Sequence, residues 1–156
     1  MKEPLLRIVA IVLVALSAVA LRGDGHRDHE AARNRLAGAW HLASLEEEGA
    51  DGKIHRADCT GLLVFTSDGH MSVQVMYQNL PAATNAAPVQ YAQNGYEASF
   101  GTYEIDDAHS FTFHVEGALV RTLLGKELKR GYELSGKKLV VKSSDPNEHW
   151  KAIWER

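Results

Sequence analysis

Arg130 is the residue whose chemistry most needs a partner. It alternates with Leu128, Tyr132 and Leu134, while Lys129, Gly131 and Glu133 occupy the opposite phase. If the apolar phase faces a core, Arg130 faces it too, and a guanidinium there must be paired or must meet an anion. Two readings follow. Arg130, helped by Tyr132, anchors the carboxylate or enolate head of a ligand; or it points outward or pairs with a carboxylate of the chain such as Glu104 or Glu116. His114 and Glu116 are the next candidates. Two apart on one strand, they share a face, and an imidazole oriented by a carboxylate can do general acid–base work near neutral pH. The opposite phase, Phe111, Phe113 and Val115, is the better interior, which leaves His114 and Glu116 in solvent as weak catalytic candidates.

Other chemistry is sparse. The sequence has no nucleophile elbow, phosphate loop, His-Glu-x-x-His helix or paired-cysteine metal site. Ser72 and Ser99 have no context that would activate them. Cys59 is the single cysteine, so no internal disulfide can form, and a small apolar role suits it best. His26 and His29 lie near Asp28 and Glu30, yet their segment offers no fixed scaffold for an ion. Neither a metal nor a cofactor is expected. A net charge of −3 does not provide the basic face that phosphate contacts require, so a nucleic-acid partner is not expected either.

The elements that must position these groups read as short strands. Trp40, Leu42 and Leu45 begin the first, which runs into Glu46-Glu47-Glu48, and Asp51-Gly52 turns the chain. Gly61–Thr66 is strand-like. Met71, Val73, Val75 and Tyr77 alternate with polar residues, the mark of a strand with one buried face. Phe111–Val115, Glu127–Leu134 and Lys138–Ser143 continue the pattern, and Trp150, Ile153 and Trp154 close it. About eight short, evenly spaced strands point to a sandwich or barrel. Between Asn79 and Glu97 the rhythm breaks. The spacing predicts a short helix over 89–98, weakened by Gly95, in a lid or mouth-lining excursion. Tyr91 and Tyr96 would sit there, with an apolar ring and a polar tip. Met71, Val73, Val75, Tyr77, Phe100 and Phe113 either line a pocket or fill the core.

The N-terminus stands apart. Lys2 and Arg7 precede a charge-free run from Ile8 to Leu21, and Ala18-Val19-Ala20 has the small-x-small form that a signal peptidase reads. Residues 1–20 are therefore expected to be a signal peptide, with an uncleaved anchor as the only membrane contact. The run is shorter than the roughly 20 residues a spanning helix needs. Losing Lys2, Arg7 and Glu3 would change the net charge from −3 to −4. Residues 21–35 read as a tail or short helix, and 36–156 as one domain that packs without disulfides in a periplasmic or secreted setting.

An ordered set of motifs resembles the bacterial and fungal lipocalin-like domain family over roughly residues 36–156. Leu36-Ala37-Gly38-Ala39-Trp40 is similar to the Gly-x-Trp start of lipocalins. Gly61-x-Leu63-x-Phe65-Thr66-x-Asp68-Gly69-x-Met71-Ser72 follows, then Phe100-Gly101-Thr102-Tyr103 and His114-Val115-Glu116. Arg130-x-Tyr132-x-Leu134-x-Gly136-x-x-Leu139 and Trp154-Glu155-Arg156 complete the set. The stretch Ala118–Leu124 is more apolar than the turn that family members often carry there. The resemblance implies an eight-stranded antiparallel up-and-down barrel, a size that is either filled by side chains or holds one small ligand. It also implies that Trp40 and Arg156 stack as a structural pair at the barrel floor. The function expected from it is binding or carrying a small hydrophobic or amphipathic molecule. The alternative is a cyclase, isomerase or hydrolase working in the same cavity, which requires His114, Glu116 and Arg130 to converge inside.

Overall fold

The computed structural model describes residues 25, 27–49, 51–79 and 91–156. The signal-peptide expectation for 1–20, His26 and most of the expected lid, 80–90, lie outside the described residues. A helix, α1, covers 27–36. Ten strands follow: β1 Gly38–Glu48, β2 Ile54–Arg56, β3 Cys59–Phe65, β4 His70–Tyr77, β5 Ala92–Gln93, β6 Tyr96–Asp107, β7 Ser110–Ala118, β8 Glu127–Ser135, β9 Lys138–Ser143 and β10 Trp150–Glu155. A 3-10 turn at Arg121–Leu123 joins β7 to β8.

All pairings are antiparallel and run β10-β9-β8-β7-β6-β4-β3-β1, with β10 pairing back onto β1. The eight long strands thus close into an up-and-down barrel with no free edge between them. Short β2 and β5 are hairpin partners of β1 and β6. Closure follows from the period-two pattern. Met71, Val75 and Tyr77 are buried on β4, opposite Phe65, Gly61 and Cys59 of β3. Phe111, Phe113 and Val115 are buried on β7, and Arg130 and Tyr132 on β8.

Two irregularities set which side chains point inward. β1 carries a bulge between Leu42 and Ser44, which shifts the inward phase from Trp40 and Leu42 to Leu45 and Glu47. β6 shifts register between Phe100 and Gly101. A Cβ at Gly101 would meet the His114 carbonyl oxygen at 2.0 Å, so only glycine allows the two backbones to come this close.

The segment after the undescribed residues corrects one expectation. Residues 91–98 form a tight hairpin, β5 to β6, not a short helix. Asn94 and Gly95 have φ of 54° and 75°. An Asn-Gly pair with both φ positive is the turn that matches strand twist in a two-residue hairpin. Gly95, read as a helix breaker, is here a turn former.

One barrel end is closed. Ala32 and Leu36 of α1 are buried beneath Trp40, whose indole Nε1 donates to the Leu36 carbonyl at 2.8 Å. The Arg156 guanidinium lies 4.1 Å from the Trp40 ring centre. It also donates to the carbonyls of Ala37 at 2.8 Å and Arg35 at 3.0 Å. Those carbonyls lie where the ending helix leaves its acceptors unpaired, so Arg156 both stacks on the floor and holds α1 against it.

Candidate functional site

The barrel interior divides into two unlike halves. Above the floor, Phe65, Tyr103 and Phe111 pack edge to face, with ring centres 4.9 Å apart for Phe65–Tyr103, and Tyr132 packs tilted on Phe111 at 6.0 Å. All four are almost fully buried. The opposite end is different. Of its inward-facing residues, Leu42, Glu47, Cys59, Val73, Glu97 and Trp150 keep partial solvent contact, whereas Val75, Tyr77 and Arg130 are buried. Among the described residues no element closes that end, and it is where polar groups gather.

On one side of the mouth stands Arg130, only 7% exposed. Its Nη1 donates to Glu148 Oε2 and Ser143 Oγ, each at 3.3 Å. Its guanidinium lies 5.2 Å from the Tyr91 ring centre and 5.0 Å from that of Trp150. Glu148, in the β9–β10 loop, is the hub of this group. It also accepts from Ser143 Oγ and Tyr91 OH, both at 2.6 Å, and from Trp150 Nε1 at 3.3 Å. Burial raises the Glu148 carboxyl, but hydrogen bonds from Ser143 and Tyr91, the Arg130 charge and the Trp150 bond outweigh it and hold the group below its ordinary value. The cation is therefore compensated from within the chain.

Across the mouth lie Glu47 of β1, Cys59 of β3, Tyr77 of β4 and Glu97 of β6. Tyr77 OH donates to Glu47 Oε2 at 3.0 Å. Burial raises Glu47, partly offset by that bond. Burial, with Glu47 nearby, pushes the Cys59 thiol up to about 11, so it is neutral and unreactive as a nucleophile. Glu97 stands opposite Val75 in the β4–β6 ladder, which turns it inward. It is half-buried, and its carboxyl takes no hydrogen bond from the described residues. Burial pushes it up to about 7; Arg130 lowers it and Glu47 raises it. It is an inward-facing carboxyl that changes charge near neutral pH.

The family profile described as a lipocalin-like domain matches residues 37–156. The chain belongs to the lipocalin-like domain family. Among solved structures, a lipocalin-like protein from Bacteroides uniformis is 18% identical, with a TM-score of 0.47 over 78% of this chain and 98% of that one. A redesigned β-barrel is 10% identical, with a TM-score of 0.44 over 80% of this chain and 93% of the other. No curated protein matches the chain.

Within this lipocalin-like barrel the residues singled out from sequence separate clearly. Met71, Val73, Val75, Tyr77, Phe113, Arg130 and Tyr132 face inward, and Tyr91 reaches the mouth. Tyr132 does not assist Arg130. Its ring packs on Phe111 in the filled half, and its hydroxyl has no hydrogen-bond partner among the described residues. Arg130 pairs with Glu148, not with Glu104 or Glu116. Phe100 is a correction: it is 57% exposed on the outer wall, where with Val64, Ser72 and Glu116 it borders a groove of about 210 Å³. Tyr96 is also turned outward, opposite exposed Met76. His114 and Glu116 lie on the outer face of β7, the former 3.4 Å from Glu127. The convergence of His114, Glu116 and Arg130 that the enzyme alternative required is absent.

Glu47, Glu97 and Glu148 are functional candidates that the sequence pattern does not single out. Two retrievable signals existed: Asn94-Gly95 as a hairpin turn, and the two-residue step from Tyr103 back to Glu97.

Proposed function

We propose that this lipocalin-like barrel binds a small apolar or amphipathic molecule at its open end, and does so outside the cytoplasm if residues 1–20 act as the signal peptide they resemble. The observation that carries this reading is the contrast within one interior. The floor half is packed with aromatic rings, while several inward-facing residues of the mouth half, Glu47, Val73 and Glu97 among them, remain partly exposed. Val73, Val75 and Leu63 supply an apolar wall, and a few polar groups converge above them, the usual composition of a small-molecule site. Burial of the ligand's apolar surface would supply most of the affinity, at roughly 25 cal/mol per Å².

The test is a titration with N-phenyl-1-naphthylamine, an uncharged dye that brightens in apolar surroundings. Saturable brightening is expected, and Val73→Trp, which fills the mouth half, should weaken it about tenfold or more. Absence of saturable brightening, or brightening that the filled variant leaves unchanged, would remove the reading.

A further inference from the structure

Given a ligand at the open end, as proposed above, the charges lining that end decide what its polar group can be. Among the described residues Glu47, Glu97, Arg130 and Glu148 bring charge to the mouth, three carboxyls to one guanidinium. The guanidinium is already engaged, bonded to Glu148 and Ser143 and flanked by Tyr91 and Trp150. An anionic head would have to displace Glu148 from donors on Arg130, Ser143, Tyr91 and Trp150. The acceptors are in the opposite condition. Glu47 takes a single side-chain hydrogen bond, from Tyr77, and the inward-facing Glu97 carboxyl takes none from the described residues. An ionised carboxylate can accept about four. The other titratable groups around Glu97 do not compete for a cation, because burial favours the neutral forms of Cys59 and Tyr77. Val75, opposite Glu97 in the ladder, begins an apolar bed that continues through Val73 and Leu63.

We propose that the open end is a site for a hydrophobic amine. The protonated nitrogen lies between Glu97 and Glu47, and the apolar tail runs along Val75 and Val73 toward the filled half. An ammonium there supplies donors to Glu97, which has none, and to the free lone pairs of Glu47, and its charge favours the ionised carboxylate that burial disfavours. Tyr77, already held on Glu47, completes a mouth with donors turned to its own carboxylate and acceptors turned to the guest.

The experiment displaces N-phenyl-1-naphthylamine from the full chain with decylamine, decanol or decanoate, matched in tail and differing in head. At about pH 8, where Glu97 is ionised, decylamine should displace at a concentration at least about tenfold below decanol, with decanoate weakest. Glu97→Gln should remove most of that gap, read as the ratio of amine to alcohol displacement measured on the same variant; Glu47→Gln should remove a smaller part. At about pH 5 the native protein's gap should narrow, because Glu97 takes up a proton. This arm and the Glu47 variant keep the test decisive if Glu97→Gln folds poorly. Equal displacement by amine and alcohol, a lead for decanoate, or a gap that survives Glu97→Gln would overturn the amine site. Those outcomes leave the binding reading standing, whereas failure of the dye itself to bind would remove both.

Discussion

The two halves of the barrel are built from the same strands and do opposite things. In the floor half, alternate positions carry Trp40, Phe65, Tyr103, Phe111, Tyr132 and Trp154, rings large enough to meet across the axis. In the mouth half, the same alternation delivers Glu47, Cys59, Val73, Glu97 and Arg130, which are smaller or polar and keep water contact, apart from Arg130. Large rings make a core; shorter and charged side chains leave a mouth. One sequence period thus yields a structural half and a receptive half, and the chemistry of each depends on side-chain size and charge, not on topology.

The sharpest way to break that division is to remove a floor ring. Trp40→Ala should cost about 3–5 kcal/mol, because it takes away a fully buried indole and the surface on which Arg156 stacks. Urea denaturation would read this as a fall in midpoint. Next in size is Glu148→Ala, which strands buried Arg130 and should cost about 3 kcal/mol by the same measurement.

The third expected effect is pH-dependent and opposite in sign. Glu97 is raised from 4.5 to about 7 in the folded chain. A carboxyl raised in this way binds more protons folded than unfolded, so its contribution is fully present below about pH 4.5 and is lost as pH climbs to about 7. Glu97→Gln should therefore stabilise the protein above pH 7, by up to roughly 2 kcal/mol once residual water contact is allowed for, and change little at pH 4. Thermal midpoints of both proteins at the two pH values would show it. The smallest effect is expected on the outer wall, where Glu116→Ala should shift stability by less than about 0.5 kcal/mol and leave dye binding unchanged.

Much of this division was legible in the sequence, and particular residues show where legibility ended. The inward phase of β4 and β7 could be read directly, because Met71, Val73, Val75 and Tyr77, and Phe111, Phe113 and Val115, alternate without interruption. Arg130 was legible as an inward cation, since its neighbours in phase are apolar. Its partner was not: Glu148 lies in a loop, and its approach to Arg130 is set by β8–β9–β10 pairing, not by local spacing. Glu47 was hidden by the bulge between Leu42 and Ser44, which changes phase with no mark in the residue pattern. Phe100 was misplaced because an aromatic residue suggests an interior, although its neighbours Gly101 and Tyr103 put the inward phase one residue away. The helix expected over 89–98 hides Glu97, because Asn94-Gly95 is a hairpin turn between two strands and not a weak point in a helix.

The central claim, that the mouth half receives a molecule and the floor half does not, is tested most directly by titrating isotope-labelled protein with N-phenyl-1-naphthylamine and following its NMR spectrum. Shifts are expected to concentrate at Val73, Val75, Tyr77, Glu97 and Trp150, with Phe65, Tyr103 and Phe111 nearly still. Shifts centred on the floor rings, or on the outer groove beside Phe100 and Glu116, would contradict it.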